Sequence, residues 1–146
     1  MSRQRIVCLL FIALSGPFAV GGAESDAPEL NGTWKPVTAE LAGEQWPQQV
    51  LDSMKLIVKD DKYTVQVGET SDEGTVLRDS RKSPKAMDIK GTKGPNEGKT
   101  ILAIYELKGD ELRVCYDLSG KSRPTEFATK SDTQLFLVKY RRTTTR

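Results

Sequence analysis

Three groups of residues in this chain have types and spacings that could do chemistry. The first is glycine-rich. Gly94-Pro95-Asn96-Glu97-Gly98-Lys99-Thr100 and Gly120-Lys121-Ser122 both imitate a phosphate-binding loop. The first has one residue too few between its glycines, and the second would need a glycine where Cys115 stands. A working phosphate loop opens a helix, so that backbone N–H groups and the helix dipole face the phosphate. Here the first stretch enters the β-type run Ile101-Leu102-Ala103-Ile104, and the second runs into Arg123-Pro124. Both read as turns.

The second group is acidic: Asp60-Asp61, Asp72-Glu73 and Asp110-Glu111. Paired carboxylates do acid–base work when burial drives their pKa values apart. All three pairs fall in stretches that read as hairpin loops, where acids serve as solvated turn formers. Asp60-Asp61 also lacks the remaining ligands of a calcium loop. The third group is Arg123-Pro124-Thr125-Glu126-Phe127. An arginine fixed beside proline can present its guanidinium fork to a carboxylate ligand at a barrel mouth. The alternative is structural: Arg123 ties down a long loop through backbone carbonyls while Phe127 plugs the core.

Other chemistries lack their parts. The chain has no histidine, which removes the commonest general base, the usual triad partner and the commonest metal ligand. No serine sits in a Gly-x-Ser-x-Gly elbow. No cofactor is implied.

The N-terminal stretch reads as an export leader. Arg3 and Arg5 precede an apolar run from Ile6 to Leu14, and small residues close it at Gly21-Gly22-Ala23. That order marks a secretory signal peptide, too short to span a membrane as a helix, which takes about 20 residues. Residues 1–23 are therefore expected to be removed, leaving residues 24–146 as one exported domain, periplasmic or extracellular. The leader holds two of the 22 basic residues and none of the 20 acidic ones. The remaining chain is thus electrically balanced, with no electrostatic case for nucleic acid or an anionic membrane surface. Cys115 is the only cysteine outside the leader. Its place between Val114 and Tyr116 favours a small apolar core side chain over a reactive thiol.

The elements that must position these residues centre on Ile101–Asp117. Tyr105, Leu107, Leu112, Val114 and Tyr116 recur in strand-like alternation around Gly109-Asp110, a hairpin signature. Gly32-Thr33-Trp34-Lys35 begins a first short strand, and a short helix is expected from Pro47 to Met54. Met54–Lys59 and Tyr63–Val67 alternate as strands around Asp60-Asp61-Lys62. A loop is expected over Gly68–Gly74, then a weaker strand to Ser80. Pro84 demotes the strand over Ala86–Lys90 to an edge or a bulge. Ser119–Ser131 is irregular, and Gln134–Arg142 is the last strand. The class is all-β: an antiparallel up-and-down barrel of about eight strands with one short helix. The late strands are apolar on both faces, so residues 36–53 or a partner must cover the outer one. For closure, Phe136, Val138 and Tyr140 point inward. Parity then places Arg142 beside Trp34 and sends Arg141 outward.

An ordered series of motifs carries a resemblance. It comprises Gly32-Thr33-Trp34, Pro84 with Met87-Asp88-Ile89, Gly94-Pro95 with Gly98-Lys99, Ile104-Tyr105 with Gly109-Asp110 and Leu112, Cys115, and Arg123-Pro124 with Phe127. In that order, over residues 30–142, the chain resembles a family of exported lipocalin-like proteins known largely from planctomycete bacteria. Ala103 departs from the pattern, which has glycine there. The resemblance implies a barrel and carries no activity, substrate or site. Gly32-Thr33-Trp34 is also similar to the Gly-x-Trp of lipocalins proper, which bind small apolar molecules.

The resulting expectation is an exported, non-enzymatic barrel holding a small apolar or amphipathic ligand, with Tyr105, Arg123 and Trp34 as candidate contacts. Gly32, Trp34, Gly109, Asp110, Cys115, Pro124, Phe127 and Arg142 are expected to be structural. One alternative is a solid-cored envelope or protein-interaction module. Another is an enzyme with a site around Arg123, Tyr105 and Asp88.

Overall fold

A computed structural model describes residues 29–143. The expected leader, residues 1–23, and the cleavage point near Glu24 lie outside the described residues. The strands are β1 (Gly32–Leu41), β2 (Glu44–Gln45), β3 (Met54–Lys59), β4 (Lys62–Val67), β5 (Thr70–Asp79), β6 (Lys85–Lys93), β7 (Thr100–Lys108), β8 (Glu111–Asp117) and β9 (Leu135–Arg142), with one helix, α1 (Gln48–Asp52). Each strand from β3 to β9 pairs antiparallel with the next, β1 pairs with β3, and β9 returns to β1. Eight strands thus close an up-and-down barrel, and β2 is an extra strand hung on the end of β1. Closure leaves no long edge to defend.

Alternation explains the register. Met54, Leu56 and Val58 point inward from β3, as Ile101, Ala103 and Tyr105 do from β7 and Leu112 and Val114 from β8. Each such side chain, fully buried, is worth about 1.5–3 kcal/mol. Lys108 and Glu111 pair directly across the Gly109-Asp110 turn. Gly109 sits at φ +58°, where a side chain would be strained.

Because the barrel is up-and-down, its turns sort to two ends. Asp60-Asp61, residues 80–84 and Gly109-Asp110 lie at one end with the start of β1 and the end of β9. That end is shut by Trp34, which is fully buried and donates from Nε1 to the Leu30 carbonyl at 2.9 Å. The Arg142 guanidinium covers the indole, and Arg141 points outward to pair with Glu111 at 2.9 Å.

Several elements differ from the sequence reading. β1 continues through Pro36 to Leu41, taking up the proline with a register shift between Pro36 and Thr38. The loop expected over Gly68–Gly74 shrinks to a turn at Gly68-Glu69, because Thr70–Glu73 pair with β4. β6 is interior rather than an edge, since Pro84 precedes its first residue and takes no place in the ladder. A bulge does occur in β6, at Thr92, which is skipped where Glu73 and Gly74 pair with Lys93 and Gly91. The helix is one turn shorter than expected: Pro47 is its extended N-cap and Met54 opens β3.

The outer apolar face is covered by the chain between β8 and β9 rather than by residues 36–53. Beneath it Ile104 and Cys115 are 1% and 0% exposed. The Cys115 thiol faces the Ala128 carbonyl at 3.6 Å, and Pro124 is buried. Arg123 pins this cover, donating to the carbonyls of Met87 and Ala103 at 3.0 and 2.9 Å and to the Asp88 carboxylate at 2.6 Å. Phe127 does not plug the core. It lies on the outer wall under the Arg113 guanidinium, 3.9 Å from the ring centroid.

Candidate functional site

The barrel is not filled to its open end. A cavity of about 280 Å³ runs up its axis, with Leu30, Val58, Val76 and Leu112 among the residues deep in its wall. Towards the end where β3, β5 and β9 begin, Met54, Val67, Thr70 and Phe136 continue the wall, joined by Pro95 and Asn96 of the 94–99 loop and by Leu118. Trp46 packs tilted against Phe136 with ring centroids 4.7 Å apart, and Leu51 of α1 buries itself in the same core. The wall is apolar because inward positions of the barrel strands carry Val, Leu, Ile and Met.

One polar point in this wall is Asp72, 8% exposed. It lies on β5 with Thr70 and Val76 on its own face, two and four residues away. Its Oδ2 accepts from the Tyr63 hydroxyl at 3.0 Å and the Asn96 Nδ2 at 2.9 Å, and its Oδ1 accepts from the Asn96 backbone N–H at 2.9 Å. Asp72 thereby holds the 94–99 loop over the mouth. Gly94 makes that approach feasible: a side chain there would meet the Ser71 carbonyl at 2.4 Å. Burial, then the bond to Asp72, raises the Tyr63 pKa far above its ordinary value. A second polar point is the pair of hydroxyls of Tyr116 and Tyr140, 3.0 Å apart. Burial is the main cause that raises both their pKa values, Tyr140 to about 12.

The two stretches resembling phosphate loops turn most of their N–H groups onto the protein itself. In the first, the N–H groups of Asn96, Glu97, Gly98 and Lys99 bond Asp72 and backbone carbonyls. In the second, the buried Asp117 carboxylate takes the N–H groups of Ser119, Lys121 and Ser122 at 3.0, 3.1 and 2.8 Å and the Ser119 hydroxyl at 2.6 Å. Burial alone would raise the Asp117 pKa; these bonds outweigh it and lower it. Both are turns built around an aspartate. Of the acidic pairs, Asp60, Asp61 and Asp110 are turn acids and Glu111 opens β8, but Asp72 is inside: pairing of β5 with β4 turns it into the barrel.

The three residues expected to contact a ligand are not brought together. Tyr105 is buried in the core cluster, outside the cavity wall. Arg123 is on the outer surface beneath the cover, and Trp34 seals the closed end. Arg123 and Asp88 do meet, but outside the barrel and apart from Tyr105. Sequence reasoning missed the residues that do define the cavity's polarity, Asp72, Asn96, Tyr116 and Tyr140. The one available signal was the alternation of Thr70, Asp72, Gly74 and Val76. Among the described residues no group of three or more His, Cys, Asp and Glu could hold a metal ion, and no helix is long and apolar enough to cross a membrane. Compared with protein-family models, curated proteins and solved structures, the chain finds no match.

Proposed function

We propose that this is an exported, lipocalin-like binding protein that carries a small apolar or amphipathic ligand inside its barrel. The observation that carries the reading is the cavity of about 280 Å³, walled by aliphatic and aromatic side chains around few polar groups. Ligand pockets begin at roughly 300 Å³, and an apolar cavity of ~150 Å³ already takes up benzene. Membership of the exported lipocalin-like family belongs to the same proposal, resting on the motif series and on the barrel. Binding rather than catalysis belongs to the same proposal, and the wall that supports it is aliphatic and aromatic apart from a few polar groups.

The rival, a solid-cored envelope or interaction module, would be favoured by an uncovered apolar outer face. Here the 118–134 segment takes that place over Ile104 and Cys115. The deciding experiment is native mass spectrometry of the protein purified from its own host, with displacement of an environment-sensitive apolar dye alongside. A co-purifying small molecule, or saturable one-to-one dye binding, is the expected result. A well-folded sample that carries nothing and binds no dye would sink the reading.

A further inference from the structure

We infer that the barrel selects apolar ligands with a cationic head, primary alkylammonium ions in particular, and discriminates against fatty carboxylates. The inference rests on the ligand-binding reading and names the class of ligand. No lysine or arginine contributes to the cavity wall, whereas one carboxylate, Asp72, does. Asp72 is more than nine-tenths buried, and no cation pairs with it among the described residues. Its three hydrogen bonds all come from neutral donors, the Tyr63 hydroxyl and the two nitrogens of Asn96.

A carboxylate offers about four acceptor positions. Oδ2 takes two donors and Oδ1 one, so a position remains on Oδ1. A buried charge without a counter-charge is costly, and a ligand that brings the opposite charge recovers that cost on binding. An ammonium supplies both the charge and a donor for the open position. A carboxylate head brings a second negative charge into the same low-dielectric space with no cation to meet it. The position of Asp72 near the mouth adds a direction: the alkyl chain runs inward along Val76 and Leu112, and the head stays beneath Asn96.

The test uses three ligands of one chain length at neutral pH: octylammonium, octanol and octanoate, each titrated calorimetrically and by dye displacement. Octylammonium should bind at least ten-fold more tightly than octanol, and octanoate more weakly than both. In Asp72→Asn the ammonium and the alcohol should come within about two-fold of each other. Octanoate equal to or tighter than octylammonium overturns the inference, as does an ammonium preference that survives in a folded Asp72→Asn. Asp72 also holds the 94–99 loop, so the variant can fail to fold. The wild-type ranking then decides alone. Octanol binding with no gain for the ammonium sinks only the head-group inference, while a folded protein that binds none of the three sinks the ligand reading with it.

Discussion

The Arg142 guanidinium stands 4.3 Å from the centre of the Trp34 ring, and the two residues are direct partners in the strand pair that shuts the barrel. The contact does more than cap an indole. Arg142 donates to the carbonyl of Glu29 at 2.7 Å, to the carbonyl of Asn31 and to the Asp110 carboxylate at 3.1 Å, with its side chain only 3% exposed. One side chain therefore ties the entering chain, the first strand and the Gly109-Asp110 turn together.

Trp34→Ala should cost about 3–5 kcal/mol, the usual range for emptying a buried aromatic site. A lone cation–π contact would make Arg142→Ala mild, at roughly 0.5–2 kcal/mol. The added bonds raise the expectation to about 2–4 kcal/mol, because two backbone carbonyls lose a charged donor. Arg141→Ala, at an exposed ion pair, should stay within about 0.5 kcal/mol. Urea midpoints of the three variants check the order. An Arg142→Ala as silent as Arg141→Ala would show that the clasp contributes nothing.

Arg123 is expected to control access to Cys115. Burial raises the thiol's pKa and keeps it protonated, so native labelling should be slow and unfolding should make it fast. Arg123→Ala removes three bonds that hold the 118–134 cover. Native labelling of Cys115 should then accelerate by at least ten-fold. Arg123→Lys should rescue it only partly, since an ammonium cannot serve two carbonyls and a carboxylate with a planar fork. Fast labelling of the wild type would mean that the cover is open in solution.

Which parts of this were legible in the sequence follows from where each signal resides. The Gly109-Asp110 hairpin and the pairing of Arg142 with Trp34 are local facts of turn chemistry and strand parity, and a period of two carries them to the end of β9. Thr70–Glu73 was not legible. Ser71, Asp72 and Glu73 have the composition of a loop, and only the hydrogen bonds of β4 make them a strand. Asp72 was not legible for the same reason: a carboxylate next to another, just before a glycine, looks like a turn acid until register turns it inward. The cover over Cys115 was hidden too, because its hold is one arginine reaching strands 20 and 36 residues away in the chain.

Stability should fall in alkali with a slope set by the buried tyrosines. Burial is the main cause that raises the pKa values of Tyr63, Tyr116 and Tyr140, Tyr140 to about 12 from an ordinary value of 10.0. Unfolded, all three lose their protons near pH 10; folded, they keep them. The unfolded state therefore binds fewer protons above pH 10, and stability declines as pH rises, through about pH 12 for Tyr140. Urea midpoints across that window should drop, with a shallower fall in Tyr140→Phe. Tyrosinate absorbance of the folded protein should lag that of the unfolded chain. An unchanged slope in Tyr140→Phe would place the linkage elsewhere.

Filling the cavity separates a ligand site from an imperfectly packed core. Val76 and Val138 both point into the barrel, but Val76 lines the cavity while Val138 is fully buried away from it. Enlarging a side chain in a packed core costs about 1–3 kcal/mol, because neighbours must leave their rotamers. Val138→Phe should lose that much. Val76→Phe places its extra atoms in empty space, so its midpoint should hold or rise. The same atoms occupy the room the ligand needs, and dye affinity should fall at least ten-fold. Tyr105→Ala, by contrast, should act on stability, about 3–5 kcal/mol, since its ring lies outside the wall. Val76→Phe as damaging as Val138→Phe would mean the barrel closes around its core in solution, and that nothing is carried inside it.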